Sequence, residues 1–307
     1  MSIIVFGSIN MDITAFTPRL PKLGETLFGT SYITVPGGKG NNQAVVAARL
    51  GAKVKFVGRV GKDIFGSEVL NIIKSENVDI SAIKEDANNH TGLAIISVDE
   101  KADNGIIVIS GANMAIDEQD VLRATNSLED ARVLMLQMEV PLNASLALAR
   151  MAKEHGITII FDPAPAPSSS LPDEFYQLVD IVTPNELETE ALVGFPIRDM
   201  NDAEKASIQL RKKGVATAII KLGDRGVYFN SQEESGFIPP FKVKAIDSVA
   251  AGDAFNGALA VAISEGKPIA EAVRWGAAAG ALATTKKGAL PSMPYRDEVL
   301  NLLSLQP

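Results

Sequence analysis

The stretch Val133-Leu134-Met135-Leu136, Asn143–His155, Gly156, Thr158-Ile159-Ile160-Phe161 reads as strand, helix, cap and strand. Apolar runs without polar alternation suit strands buried on both faces, the hallmark of a parallel sheet. Gly156 after the helical run fits a left-handed C-cap. The same rhythm extends in both directions. Ile3–Ser8, Lys53–Val57, Ile181–Thr183 and Ala218–Lys221 read as strands, and Asn42–Leu50, Ser67–Glu76, Asn185–Leu192 and Ala203–Lys213 as helices. Gly51 and Gly214 fall in cap positions. Alternation of this kind predicts an α/β fold with a mainly parallel sheet covered by helices on both faces.

Two regions interrupt it. Asp12–Val35 and Thr91–Ser110 hold strand-like runs without a helix between them: Ile13–Phe16, Leu27–Tyr32, Leu93–Val98 and Gly105–Ile109. They are expected to form a small antiparallel sheet, either a lid that shuts out water or a plain hairpin insertion. Pro163-Ala164-Pro165-Ala166-Pro167 with Ser168–Ser170 is expected to be a stiff, exposed loop between a strand and the next helix.

A chain of 307 residues, 46% hydrophobic, has room for one large domain with an appendage or two modest domains. A net charge of −8 argues against a nucleic-acid surface, which needs basic stripes. With no cysteine there is no disulfide, thiolate metal site or thiol nucleophile. Met1–Gly7 lacks a basic stretch before its apolar run, and no apolar run reaches the roughly 18 residues that span a bilayer. A soluble, cytoplasmic protein without membrane or nucleic-acid partners is expected.

The chemistry-bearing residues sit where strands end. Ala250-Ala251-Gly252-Asp253 precedes the helical pattern that starts at Ala254. Free N–H groups at a helix N-terminus suit a phosphate, and Asp253 beside them suits a proton acceptor; Asp253 as a simple helix cap is the alternative. Asn10 and Asp12, two apart on an extended segment, face one way and can hold neighbouring sugar hydroxyls, or else mark a turn. Met11 should face away. Gly37-Gly38-Lys39-Gly40 before Asn42 lets backbone approach a ligand, but the Walker A spacing is absent. Asn185 and Glu188 fit a helix capping box, or a place for phosphate and hydrated Mg²⁺. Lys221–Gly226 is a hairpin turn or a loop against a nucleotide. Gly-Ser-Ile-Asn after the first strand replaces the G-x-G-x-x-G of a dinucleotide-binding dehydrogenase.

Taken in order, Gly7-Ser8-Ile9-Asn10-Met11-Asp12, Gly37-Gly38-Lys39-Gly40-Asn41-Asn42, Thr183-Pro184-Asn185-Glu186, Leu222-Gly223-Asp224-Arg225-Gly226 and Ala250–Ala258 resemble the ribokinase family of carbohydrate kinases. The likeness spans nearly the whole chain, including Met135–Glu139 and Lys286–Ser292. It implies a three-layer α/β/α kinase domain over 1–307, with lid strands from about 12–35 and 91–110. The implied reaction is ATP-dependent phosphorylation of D-ribose at its 5-hydroxyl. A sibling activity on 2-deoxyribose, adenosine or a ketohexose, and a silent sugar or nucleotide sensor, are the alternatives.

The resemblance also assigns roles. Asp253 would be the base, and the amides of Ala250, Ala251, Gly252 and Asp253 the anion hole. Asn10, Asp12, Gly38, Lys39, Asn42 and Glu139 would hold the sugar together with Asp253. ATP would lie against Asn185, Glu188, Lys221, Leu222, Gly223, Asp224, Arg225, Gly226, Gly252, Asp253 and Ala277, with Mg²⁺ kept near Glu188. Several relatives carry a polar side chain at the position aligned with Ala277. A monovalent cation, K⁺, would be ringed by Asp247, Val249, Ala283, Lys286, Gly288 and Ser292. Asp247 as a turn cap is the local alternative. A homodimer through the lid is expected from its apolar candidates Ile13, Phe16, Leu27, Phe28, Ile33 and Val35.

Overall fold

The computed structural model describes residues 2–101 and 103–306. Its strands are β1 (Ser2–Phe6), β2 (Asn10–Phe16), β3 (Ser31–Gly37), β4 (Lys53–Gly61), β5 (Asp79–Asp86), β6 (Gly92–Val98), β7 (Asn104–Ile109), β8 (Ala131–Leu136), β9 (Thr158–Phe161), β10 (Ile181–Val182), β11 (Thr217–Lys221), β12 (Val227–Asn230) and β13 (Ser235–Ile238). The helices are α1 (Lys39–Arg49), α2 (Ile64–Ser75), α3 (Glu118–Thr125), α4 (Leu142–Glu154), α5 (Asp173–Leu178), α6 (Glu186–Val193), α7 (Met200–Lys212), α8 (Ala251–Ser264), α9 (Ile269–Ala283) and α10 (Arg296–Leu305).

Nine strands form one sheet in the order β13-β12-β11-β10-β9-β8-β1-β4-β5. It is parallel from β5 to β11, and the β12–β13 hairpin adds an antiparallel edge. Its two faces bury separate cores, and β1 shows why. Ile3 and Val5 point into the layer of α1, α8 and α9, while Ile4 and Phe6 point into the layer of α4 and α7. Among the described residues no helix is long and apolar enough to cross a membrane.

The small sheet runs β3-β2-β6-β7. It is not antiparallel throughout as expected. Its central pair, β2 with β6, is parallel because each leaves the main sheet's same end, β2 after β1 and β6 after β5. Of the expected strand Leu27–Tyr32, only Ser31 and Tyr32 are in β3. Pairing of β3 with β2 begins only at Ser31 opposite Phe16, so Leu27 and Phe28 have no partner strand. Four helices, α1, α2, α7 and α8, start three residues earlier than predicted. Asp63 accepts from Gly66 N–H and caps α2 at Ile64; α1 starts at Lys39 after Gly38. The proline loop after β9 is exposed only from Pro165, since Pro163 and Ala164 are buried.

Candidate active site

The polar residues collect at the carboxyl ends of β1, β8, β9 and β11, where open α/β sheets usually bind ligands. Two helix N-termini point at the same place. Gly257 lets α8 lie against α1, since a Cβ there would come within 2.7 Å of Val46 Cγ1 and 3.0 Å of Gln43 O. That close approach brings Asp253 to Asn42 and Gln43.

Asp253 lies in the first turn of α8, after Ala250, whose φ of 59° turns the chain into the helix. The helix therefore begins at Ala251, three residues before Ala254. Asp253 is not the cap: its carboxylate accepts from Asn42 Nδ2 at 2.9 Å and Gln43 Nε2 at 3.1 Å. Burial pushes its pKa up to about 6, with Asp162 adding to the rise while Lys39, Asn42 and Gln43 pull it down. A carboxylate so held is ionised at neutral pH yet basic enough to accept a proton.

The amides of Gly252 and Asp253 have no acceptor among the described residues, as an anion cradle requires. Ala250 N–H has none either, and of the four expected amides Ala251 alone is committed, to Ser248 O at 3.3 Å.

Asn10 and Asp12 open β2, and Met11 between them is fully buried in the core. Burial, then Glu139 and Asp253, push the Asp12 carboxyl up to about 7. Glu139 accepts from Ser8 Oγ at 2.5 Å and from Lys39 N at 3.0 Å. Burial pulls the half-buried Lys39 ammonium down, but Asp253, Asp162, Glu139 and Glu188 together raise its pKa. One ammonium thus faces several carboxyls from different elements.

A cleft of about 780 Å³ opens beside Asp253. Lys39, Asn185, Glu188, Lys221, Gly223, Asp224, Gly226, Gly252 and Ala277 line it. Leu222 and Arg225 do not: the Leu222 side chain is buried in the core, and Arg225 pairs with Arg198 O and with Glu186, which itself lines the cleft. Asn185 and Glu188 form a reciprocal capping box and line the cleft as well, so the two sequence alternatives are compatible. Burial raises the Glu188 pKa; Lys221 opposes the rise and Asp162 adds to it. Buried carboxyl oxygens beside a phosphate-sized space fit hydrated Mg²⁺, which needs only one or two carboxylates.

Asp247 does cap its turn, accepting from Val249 N at 3.0 Å. It also accepts from Gly288 N at 2.8 Å and so ties the segment before α8 to the loop after α9. Lys286 directs its ammonium to Glu298, Ser292 is buried with its hydroxyl on Ala289 O, and Ala283 is buried.

Several residues escaped the sequence reading. Asp162 follows β9 directly, pairs with Lys221 Nζ at 3.2 Å and accepts from Gln43 Nε2 at 3.0 Å. Gln137 Nε2 in turn holds Gln43 Oε1 at 2.8 Å. Asp162 carried a usable signal, a carboxylate just past a buried parallel strand. Gln43 and Gln137 carried none.

Three comparisons bear on this site. Residues 1–296 match the model of the pfkB family of carbohydrate kinases. The ribokinase of Haemophilus influenzae is 41% identical over 302 residues, 98% of each chain. The structure of Arabidopsis thaliana ribokinase complexed with ribose and ATP superposes with a TM-score of 0.90 at 34% identity, covering 98% of both chains. A deoxyribokinase of Salmonella typhi is 32% identical over 305 residues, 99% of each chain.

Proposed function

The chain belongs to the pfkB family of carbohydrate kinases, and from that premise we propose that it transfers the γ-phosphoryl group of MgATP to the 5-hydroxyl of D-ribose. The products are D-ribose 5-phosphate and ADP. The observation that carries the reading is a buried carboxylate, Asp253, beside backbone amides that have no acceptor among the described residues, at the edge of a cleft of about 780 Å³.

In this reading Asn10, Asp12, Gly38, Lys39, Asn42 and Glu139 hold the sugar with its primary hydroxyl toward Asp253. Asp253 takes the hydroxyl proton as the oxygen attacks the γ-phosphorus, and ADP leaves in line. The Gly252 and Asp253 amides, with those of Ala250 and Ala251 flanking them, stabilise charge on the transferring group. Lys39 and Lys221 add positive charge at the phosphates. Mg²⁺ beside Glu188 would neutralise phosphate charge. Asn185 and Gly223–Gly226 border the nucleotide, and Ala277 offers it an apolar wall. The small sheet serves as a lid over the sugar. A reaction that consumes MgATP supports a cytoplasmic location. A panel of D-ribose, 2-deoxyribose, fructose and adenosine tests the substrate: kcat/KM should be highest for ribose, and a higher value for any other would overturn that choice.

Two further features follow from the same reading. Carbonyls and side-chain oxygens around Asp247, Val249, Ala283, Lys286, Gly288 and Ser292 suit a hard monovalent cation, K⁺. A cation there would stiffen the turn that leads into the Gly252–Asp253 amides. Replacing K⁺ by tetramethylammonium at constant ionic strength should lower kcat several-fold. Unchanged activity, with equal indifference to Asp247→Ala, would remove the site. One face of the small sheet also leaves apolar side chains exposed, Tyr32, Ile95 and Ile107. An exposed apolar sheet face favours burial against a second copy, so light scattering at micromolar concentration should give a dimer mass. A monomer mass would contradict the homodimer.

A further inference from the structure

Three segments that root the small sheet meet at one buried set of hydrogen bonds. β2 starts at Asn10, β6 starts opposite it at Gly92, and the 3₁₀ turn Gly111–Ala115 brings the chain back after β7. At their meeting point lies Asn113, only 1% exposed. Its Oδ1 accepts from Ile9 N–H at 2.8 Å, and its Nδ2 donates to Ile9 O at 3.1 Å and to Asn10 Oδ1 at 2.7 Å. Gly92 leaves room for this pair, because a Cβ there would overlap both Asn10 Oδ1 and Asn113 Nδ2.

Elementary donor and acceptor chemistry fixes every orientation in the set. A backbone N–H can meet only an acceptor and a backbone carbonyl only a donor, so Ile9 sets which way the Asn113 amide points. Asn113 Nδ2 can then face only an acceptor, which must be the carbonyl oxygen of Asn10. The Asn10 Nδ2 group makes no hydrogen bond among the described residues and is the part left for the pocket.

We propose that Asn113 is a positioning residue that makes Asn10 a hydrogen-bond donor toward the sugar. The site thereby demands a hydroxyl oxygen able to accept at that point. Because Asn113 belongs to the segment that returns from the lid, the same contact links lid placement to sugar recognition. The proposal rests on the reading of ribose as substrate and of Asn10 as its contact.

Asn113→Asp keeps shape and the bond from Ile9 N–H but cannot donate to Asn10, whose amide turns over and shows its carbonyl to the sugar. Asn113→Ser keeps a hydroxyl for the Ile9 backbone and leaves Asn10 Oδ1 unheld. In the full chain, KM for ribose should rise about tenfold or more in each, the size of one hydrogen bond lost in a buried site. KM for ATP and kcat should stay within about threefold, since Asn113 touches neither the base nor the nucleotide cleft. Combined with Asn10→Ala, either substitution should add nothing to the loss from Asn10→Ala alone. An unchanged ribose KM in the variant that folds, a parallel rise in the ATP KM, or full additivity with Asn10→Ala would overturn the proposal. Failure of the unmodified chain to phosphorylate ribose, or an Asn10→Ala protein with normal ribose KM, would instead overturn the underlying reading and this one with it.

Discussion

Asp253→Asn lowers kcat for ribose by roughly 10²- to 10⁴-fold, the usual loss when a positioned general base is removed. The substitution keeps the shape of the side chain, so packing of α8 against α1 is preserved. ATP should still bind, because the cradle is built from the backbone amides of Gly252 and Asp253. The KM for ATP is expected to stay within about threefold. The pH profile gives an independent check. With a pKa of about 6, the carboxyl is protonated and unable to accept as pH falls through that value, so wild-type kcat should drop on the acid side. The residual activity of the variant should lack that drop. A variant turning over ribose at near wild-type rate would remove Asp253 from the mechanism.

Asp12→Ala should lower kcat/KM for ribose by roughly 10²- to 10⁴-fold, if the carboxylate accepts two sugar hydroxyls at about 1.5–3 kcal/mol each. Basal ATP hydrolysis should change little, since Asp12 is outside the nucleotide cleft. Equal losses in both activities would make Asp12 structural. Stability should move the other way. Burial, Glu139 and Asp253 raise the folded pKa of Asp12 from 3.8 to about 7. The stability linked to its proton is therefore complete below the unfolded value and lost as pH rises through about 7. The isosteric Asp12→Asn removes that loss. Its Tm should exceed that of the wild type at pH 8, and the difference should shrink toward pH 5. A recognition carboxyl that strains the empty pocket is a familiar exchange of stability for function.

The parallel core was legible because its strands are written as continuous apolar runs. β8, α4 and β9 follow Val133–Phe161 nearly residue for residue. What escaped was set by partners distant in sequence. The parallel pairing of β2 with β6 depends on where β1 and β5 end, which no local pattern encodes. Leu27–Tyr32 has the composition of a strand but nothing to pair with before Ser31. α3, α5 and α10 run for only 8, 6 and 10 residues, so each offers few turns in which a helical repeat can be read. In the site, Asp253, Asn185 and Glu188 sit in distinctive local motifs and line one cleft, and Asn42, also in such a motif, bonds to Asp253. The amides that orient them were not legible. Gln43 looks like an ordinary helical residue until Asp253, 210 positions away, is brought to its side chain. Leu222 and Arg225 belong to the same motif as Gly223 and Gly226 without lining the cleft themselves, Leu222 being packed in the core and Arg225 bonded to the cleft residue Glu186.

Phosphoryl transfer to the primary hydroxyl of ribose can be read directly in one measurement. Incubation of the purified chain with D-ribose, ATP, Mg²⁺ and K⁺, followed by ³¹P NMR, reports both products at once. ADP and a phosphomonoester coupled to the C5 protons of ribose are expected in equal amounts. ADP accompanied only by inorganic phosphate, or a phosphate coupled to the anomeric proton, would contradict that transfer.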